Sequence, residues 1–282
     1  MLSKLLKYEF KATARIFLLA YAALVALALV NAGLIALRTS SMLSGSTLYN
    51  LATTLMMVLY VGAAVAVIIV TLVIILMRFY RMLGDEGHLW FTLPVTATQH
   101  ILGKLIVATV WMLASIVMVV ASVALVTLPT AWYQHLDKIG PVWNGIVALG
   151  FNPGAWIVIV AVLLVISLVC SILEYYAAMS VGPNLVKSRL GGSVLAYVIF
   201  YFALEVVNFV VLMALSLGLN STIGNISFGF TTSAIPTTAQ TTQAINKLVP
   251  TVGLGVGVEY LLLAVGFFFI TRYFMTRKLN LA

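Results

Sequence analysis

Long apolar stretches alternate with shorter polar segments along the whole chain. Six of these stretches lie at residues 16–37, 51–77, 105–129, 155–180, 193–219 and 251–271. An α-helix needs about 20 apolar residues to cross the ~30 Å hydrocarbon layer of a membrane, and each stretch reaches that length. Backbone groups in lipid must be satisfied within their own segment, so each stretch is expected to be helical. The pattern therefore predicts an all-α, polytopic membrane protein with six transmembrane helices.

The composition supports this class of protein. Hydrophobic residues make up 63% of the 282-residue chain and charged residues only 8%. The mean hydropathy is +1.16. Soluble domains carry about 25% charged residues, so this chain falls outside their usual range. One transmembrane domain is expected to account for residues 1–282.

The basic residues are distributed unevenly between the two sides of the predicted membrane domain. The formal net charge is +8, and 12 of the 15 Lys and Arg residues lie before span 1, after spans 2 and 4, or in the C-terminal tail. Basic residues concentrate on the cytoplasmic side of membrane proteins, so both termini are predicted to be cytoplasmic. An even number of spans also requires the termini to share a side. The positive charge is thus a topology signal, and no nucleic-acid partner is expected.

The N-terminal segment, residues 1–15, is predicted to form a separate amphipathic helix in the cytoplasmic interface. Basic side chains recur along one face at three- and four-residue spacing, namely Lys4, Lys7, Lys11 and Arg15. The opposite face is apolar, as in helices that lie on a membrane. Glu9 falls within the apolar face, where it could pair with a basic group from another segment. A simple anchor and a helix that also contacts a cytoplasmic partner remain alternatives.

The segment between spans 2 and 3 is predicted to form a compact cytoplasmic element. A short helix is expected within 82–93, because Pro94 stops any preceding helix. This helix would carry charged and aromatic side chains: Asp85, Glu86, His88, Leu89, Trp90 and Phe91. It could dock onto another protein, or it could be a solvated loop anchored among the headgroups. Thr96 and Gln99 have the spacing of a capping box, so Thr96 is expected to begin the helix of span 3.

Three carboxylates lie within the predicted spans, namely Glu174, Glu205 and Glu259. Glu205 is the deepest, at about 18 Å from the start of its span. It shares one helix face with three other polar side chains, Tyr197, Tyr201 and Asn208. This face is expected to turn away from lipid, either to hydrogen-bond a neighbouring helix or to line a translocation path for a polar or cationic cargo. Glu174, near the cytoplasmic end of span 4, is expected to pack at the interface, and Glu259, in the outer third of span 6, to make a helix contact or to serve an external gate.

No catalytic or nucleotide-binding motif occurs in the sequence. The G-x-x-x-x-G-K-[ST] phosphate loop is absent, and the three histidines show no metal-ligand spacing. The chain is therefore expected to be neither an enzyme nor a metalloprotein, with no cofactor of its own. The segment 220–250 is too long for a simple turn and is expected to form an extracellular lid or a re-entrant segment.

The order of these elements resembles the permease subunit of bacterial ABC-2-type exporters, a family with an ABCG-like membrane architecture. Three local sequences carry the resemblance: LLKYEFK at 5–11, GDEGHLWFTLP at 84–94 and TRYFMTRKLN at 271–280. The resemblance covers the whole chain. It implies residence in the bacterial plasma (inner) membrane and export of a peptide, drug or lipid-like molecule.

The resemblance also implies partners. Two permease chains, identical or related, would form the pore within the membrane lipids, and two separate ABC ATPase subunits would bind ATP and Mg²⁺. Residues 82–93 would be the coupling helix, residues 1–15 the connecting helix, and spans 2 and 5 would face the central path. Two alternatives come from the residues themselves: a stand-alone ion-coupled secondary transporter, and a membrane scaffold or sensor.

Overall fold

The computed structural model describes residues 2–38, 46–84, 96–127, 139–148, 153–186, 188–223 and 238–277, and every regular element in these ranges is helical. The α-helices are α1 (Leu2–Arg38), α2 (Thr47–Leu83), α3 (Ala97–Thr127), α4 (Ile139–Ala148), α5 (Pro153–Val181), α6 (Arg189–Ile223) and α7 (Thr238–Arg277). A 3-10 turn, Gly182–Asn184, follows α5. All except α4 contain a segment long and apolar enough to cross a membrane. The all-α class and the six candidate spans are confirmed.

Helix α1 corrects one predicted boundary. It runs without interruption from Leu2 to Arg38, so residues 2–15 are continuous with the first span and do not form a separate helix. The physical reason lies in the sequence, because no Pro occurs in this segment and its first Gly is Gly33. Without a helix breaker, the change from amphipathic to fully apolar residues does not end the helix.

Two other predicted segments differ in length. The predicted loop 220–250 is shorter, because α6 continues to Ile223 and α7 begins at Thr238 with Pro250 in its interior. The predicted coupling helix 82–93 lies mostly outside the described residues, which end on this side at Gly84. The start of α3 agrees with the prediction. The Thr96 N–H donates to Oε1 of Gln99 at 3.2 Å, and the Gln99 N–H donates to Oγ1 of Thr96 at 3.4 Å.

The sequence predicts one membrane domain, whereas contacts between the helices group the chain into two compact units. The first unit comprises the described residues between 2 and 127, which form α1, α2 and α3. In this unit α1 packs against both α2 and α3, most extensively against α3. The apolar core of the unit includes Phe17, Leu24 and Val67. The Phe17 ring also stacks on Trp111 of α3, with 4.4 Å between the ring centroids.

The second unit comprises Lys138–Asn280. Here α5 packs against both α6 and α7, most extensively against α7. Aromatic pairs join the helices as well. Tyr175 of α5 stacks on Tyr197 of α6 at a centroid distance of 5.0 Å, and Phe200 of α6 contacts Phe267 of α7 at 5.5 Å. Within each unit, therefore, the first spanning helix contacts the other two.

Candidate functional site

A buried ion cluster joins the three spanning helices of the first unit. Oε1 of Glu9 on α1 lies 3.0 Å from Nζ of Lys104 on α3, and Oε2 of Glu9 lies 2.9 Å from Nη2 of Arg78 on α2. The side chains of Glu9 and Lys104 are each 5% exposed, and that of Arg78 is 30% exposed. Buried charges need partners of opposite sign. The pairing of Glu9 with basic groups from other segments is thus confirmed, and it involves two helices.

Two other predicted residues of the N-terminal segment, Lys7 and Lys11, are not among the ion pairs of Glu9. Lys7 and Lys11 are exposed, as expected for the polar face of an amphipathic segment. The side chain of Lys4 lies outside the described residues. Sequence reasoning missed the role of Lys104, which it assigned to a loop. The capping box at Thr96 was a usable signal, because it places Lys104 two turns inside α3.

Hydroxyl groups form a second polar contact network in the first unit. The hydroxyl oxygens of Tyr21 and Thr71 each lie 2.8 Å from Oγ of Ser115, which connects α1 and α2 to α3. Tyr60 of α2 and Ser122 of α3 pair in the same way at 2.9 Å. All five side chains are buried. Hydrogen bonds of this kind hold apolar helices together in a membrane, so the network is structural.

Only part of the predicted polar face of α6 is packed against other residues of the second unit. Tyr197 packs within the second unit, and its ring lies 6.4 Å from that of Tyr201. Tyr201 is 50% exposed, however, and Glu205 is also exposed. Asn208 is half-buried. None of the residues in the most apolar window of α6 is buried. The expectation that this face turns away from lipid is therefore not met by contacts within the described chain.

The other two intramembrane carboxylates are buried. Glu174 on α5 is 8% exposed, Glu259 on α7 is 7% exposed, and Oε1 of each lacks a hydrogen-bond partner among the described residues. The buried thiol of Cys170 lies within electrostatic range of both carboxyl groups. Both carboxyl groups are thus covered by the packing of the second unit. Within the described ranges, no three His, Cys, Asp or Glu side chains are placed to hold a metal ion.

The predicted coupling residues lie beyond the end of α2 and outside the described residues. These are Asp85, Glu86, His88, Leu89, Trp90 and Phe91. Helix α2 itself ends at Leu83, and the Gly84 N–H donates to the carbonyl of Tyr80 at 3.1 Å. The coupling role of the segment after Gly84 stays a prediction.

The resemblance to ABC-2-type permeases likewise stays a prediction from the local sequences and the order of elements. Comparison with known proteins found no protein-family model, no curated protein and no solved structure that matches the chain.

Proposed function

We propose that the chain is the membrane permease subunit of an ATP-driven ABC transporter of the ABC-2 type. In this proposal it resides in the bacterial plasma membrane with both termini in the cytoplasm, and it exports a peptide, drug or lipid-like molecule. A second permease chain completes the path through the membrane, and separate subunits bind ATP and Mg²⁺ and hydrolyse the nucleotide.

The observation that carries the proposal is the exposure of Glu205 in the middle of α6. A carboxylate that faces hydrocarbon is costly, and such groups generally face a protein surface or a water-filled cavity. Since contacts within the described chain leave Glu205 and Tyr201 exposed, another surface or an aqueous path must meet this face in the membrane. A path between two permease chains supplies both kinds of surroundings.

The length of α2 supports a contact with a soluble subunit. The helix contains 37 residues, which corresponds to about 55 Å at ~1.5 Å per residue. A bilayer with its headgroups is only about 40–45 Å thick. With little tilt, α2 is therefore longer than the membrane is thick. In the proposal its C-terminal end, which carries Arg81 and leads into the predicted coupling segment, extends into the cytoplasm.

A pull-down and a set of coupling variants test the proposal. The full chain, gently solubilised from its native membrane, is expected to retain a subunit with a phosphate-loop motif. Changing Asp85→Asn together with Glu86→Gln, or Trp90→Ala alone, should lower transport in reconstituted vesicles more than it lowers ATP hydrolysis. Trp143→Ala is the matched control, since Trp143 is an exposed aromatic residue on α4, on the predicted outer side. Full transport activity of the purified chain without any nucleotide-hydrolysing subunit would overturn the proposal.

The role of Glu205 can be separated from simple helix contact. Glu205→Gln keeps the size and hydrogen-bonding capacity of the side chain but removes its charge. If Glu205 lines the path, the variant should assemble normally and change which cargo is transported. Val206→Gln is the control, because Val206 has nearly the same depth on α6 and is 64% exposed. Loss of assembly without a separate effect on cargo would assign Glu205 to the subunit interface.

One observation favours a second candidate, a stand-alone secondary transporter. Such transporters often contain two repeats of opposite orientation. The two units share a packing order, because the first span of each unit, α1 or α5, packs most extensively against the third span of that unit. Transport driven by an ion gradient in ATP-free vesicles would favour this candidate over the ATP-driven one.

A further inference from the structure

A cavity opens among the three spanning helices of the first unit, next to the Glu9 ion cluster. Its volume is about 480 Å³, and its lining includes Arg78, Arg81 and Lys104. This volume falls within the ~300–1,000 Å³ typical of small-molecule sites. The proposed permease function does not use this cavity.

The charges around the cavity favour an anionic ligand. Among the described residues, Arg78 and Lys104 both pair with the carboxylate of Glu9. Arg81 also lines the cavity, is exposed, and makes no ion pair with any residue that the structure describes. The lining that the structure describes thus contains three cationic side chains and no acidic one, and Arg81 can contact a ligand without breaking an ion pair between described residues.

The lining changes from cationic to apolar along the helices. Ile74 also lines the cavity and precedes Arg81 by seven residues on α2, a rise of about 10 Å along the axis. Two further lining residues, Ile16 and Met77, are apolar and about half exposed. Inorganic phosphate would contact only the cationic part of this lining. A phospholipid matches both parts of the lining, because its phosphate can contact the cationic side chains and its acyl chains can contact the apolar ones.

We propose that this cavity binds an anionic phospholipid, with the headgroup phosphate at Arg78, Arg81 and Lys104 and the acyl chains along Ile16, Ile74 and Met77. Basic pockets between membrane helices on the cytoplasmic side are suited to such headgroups. A lipid held here contacts α1, α2 and α3 together. It therefore stabilises the packing of the three helices around the buried Glu9 cluster.

The test measures lipid retention and thermal stability of the full chain with its native subunits. The protein is reconstituted in phosphatidylcholine vesicles with or without phosphatidylglycerol and then extracted in mild detergent. Wild type should retain phosphatidylglycerol and show a higher Tm when that lipid is present. Arg81→Gln should lower the retained phosphatidylglycerol roughly fivefold, the change expected for loss of one basic residue near an anionic surface. Arg81→Lys should keep most of the retention.

Two controls identify the source of the effect. Arg272→Gln removes an exposed cation from the second unit and should leave retention unchanged. Inorganic phosphate added to phosphatidylcholine vesicles should leave the Tm unchanged. Equal retention by wild type and Arg81→Gln would overturn the proposal, and so would a Tm increase from inorganic phosphate alone. If Arg81→Gln releases a protein subunit while lipid retention stays constant, the cavity binds an acidic segment of that subunit and the lipid proposal fails.

Discussion

Burial of Glu9 depends on partners from both neighbouring helices. Its two carboxylate oxygens are used by different cations, Lys104 through Oε1 and Arg78 through Oε2. The desolvation of such charges offsets much of their attraction, so an intact cluster contributes little net stability. Removal of Glu9 is different, because it takes away the carboxylate that pairs with both cations. The main effect of the cluster is therefore to determine which helices pack together, and its contribution to the free energy of unfolding is small.

Glu9→Gln is expected to destabilise the first unit. The change removes the buried carboxylate that pairs with the Lys104 ammonium, whose side chain is 5% exposed, and this loss should cost about 3–5 kcal/mol of unfolding free energy. Unfolding of the purified protein in mixed micelles, followed by circular dichroism against denaturant, measures this loss. The double variant Glu9→Gln with Lys104→Met should recover part of the stability.

The matched control for this prediction is Lys11→Met, which removes an exposed cation from the same helix. Its effect should stay within about 0.5 kcal/mol, as for most surface substitutions. If Glu9→Gln were as stable as Lys11→Met, the ion cluster would have no role in holding α1, α2 and α3 together.

Close packing of α5 against α7 depends on small residues at the helix contact. Apolar helices in lipid gain little from burying more apolar surface, so their association relies on close contact, often at Gly residues four positions apart. Gly253 and Gly257 have this spacing on α7. A Cβ atom on Gly257 would lie 3.1 Å from Cδ2 of Leu163, and one on Gly253 would lie 3.1 Å from Cγ2 of Ile159. These two positions let α7 approach α5.

Gly257→Leu is expected to separate α5 from α7 and to destabilise the second unit by about 1–3 kcal/mol, the usual cost of overpacking. Gly266→Leu on the same helix is the control, since a Cβ atom there would meet nothing within 4 Å. Unfolding curves of the two variants in identical micelles should differ clearly. Equal stability of both variants would show that α7 does not need Gly257 for its contact with α5.

At the scale of the whole molecule, the placement of charge predicts the orientation in the membrane. Basic residues concentrate in alternate connecting segments, and this pattern predicts that Ser3 and Thr276 lie on the cytoplasmic side and Ser46 on the outer side. All three residues are exposed, whereas the native Cys170 is buried. Single cysteines at these positions can therefore report the orientation of the chain.

In a Cys170→Ala background, Ser46→Cys should react with a membrane-impermeant maleimide in intact cells. Ser3→Cys and Thr276→Cys should react only after the membrane is permeabilised. The extent of labelling, measured on a gel by mass shift, distinguishes the two sides. Labelling of Thr276→Cys but not Ser46→Cys in intact cells would reverse the predicted topology.

Much of the fold follows from local properties of the chain. The length of each apolar stretch is enough to predict six spanning helices, because a helix in lipid satisfies its backbone hydrogen bonds within itself. The reciprocal hydrogen bonds of Thr96 and Gln99 also follow from a spacing of three residues. The boundary at residue 15 was predicted wrongly, because a change of side-chain polarity does not by itself end a helix.

The candidate site was less predictable, because its contacts join residues far apart in the chain. The sequence alone was enough to predict the length and class of the helices, because these depend on composition. It was also enough to predict that Glu9 needs a partner and that α6 has a polar face, because these depend on helical periodicity. Which cations meet Glu9 was decided only by packing, which brings Lys104 to it from 95 positions away. Packing also decided which other side chains are buried and which are exposed, because this depends on which helix faces are covered by neighbours. It buries Glu174 and Glu259, leaves Glu205 exposed and forms the basic cavity beside Arg81.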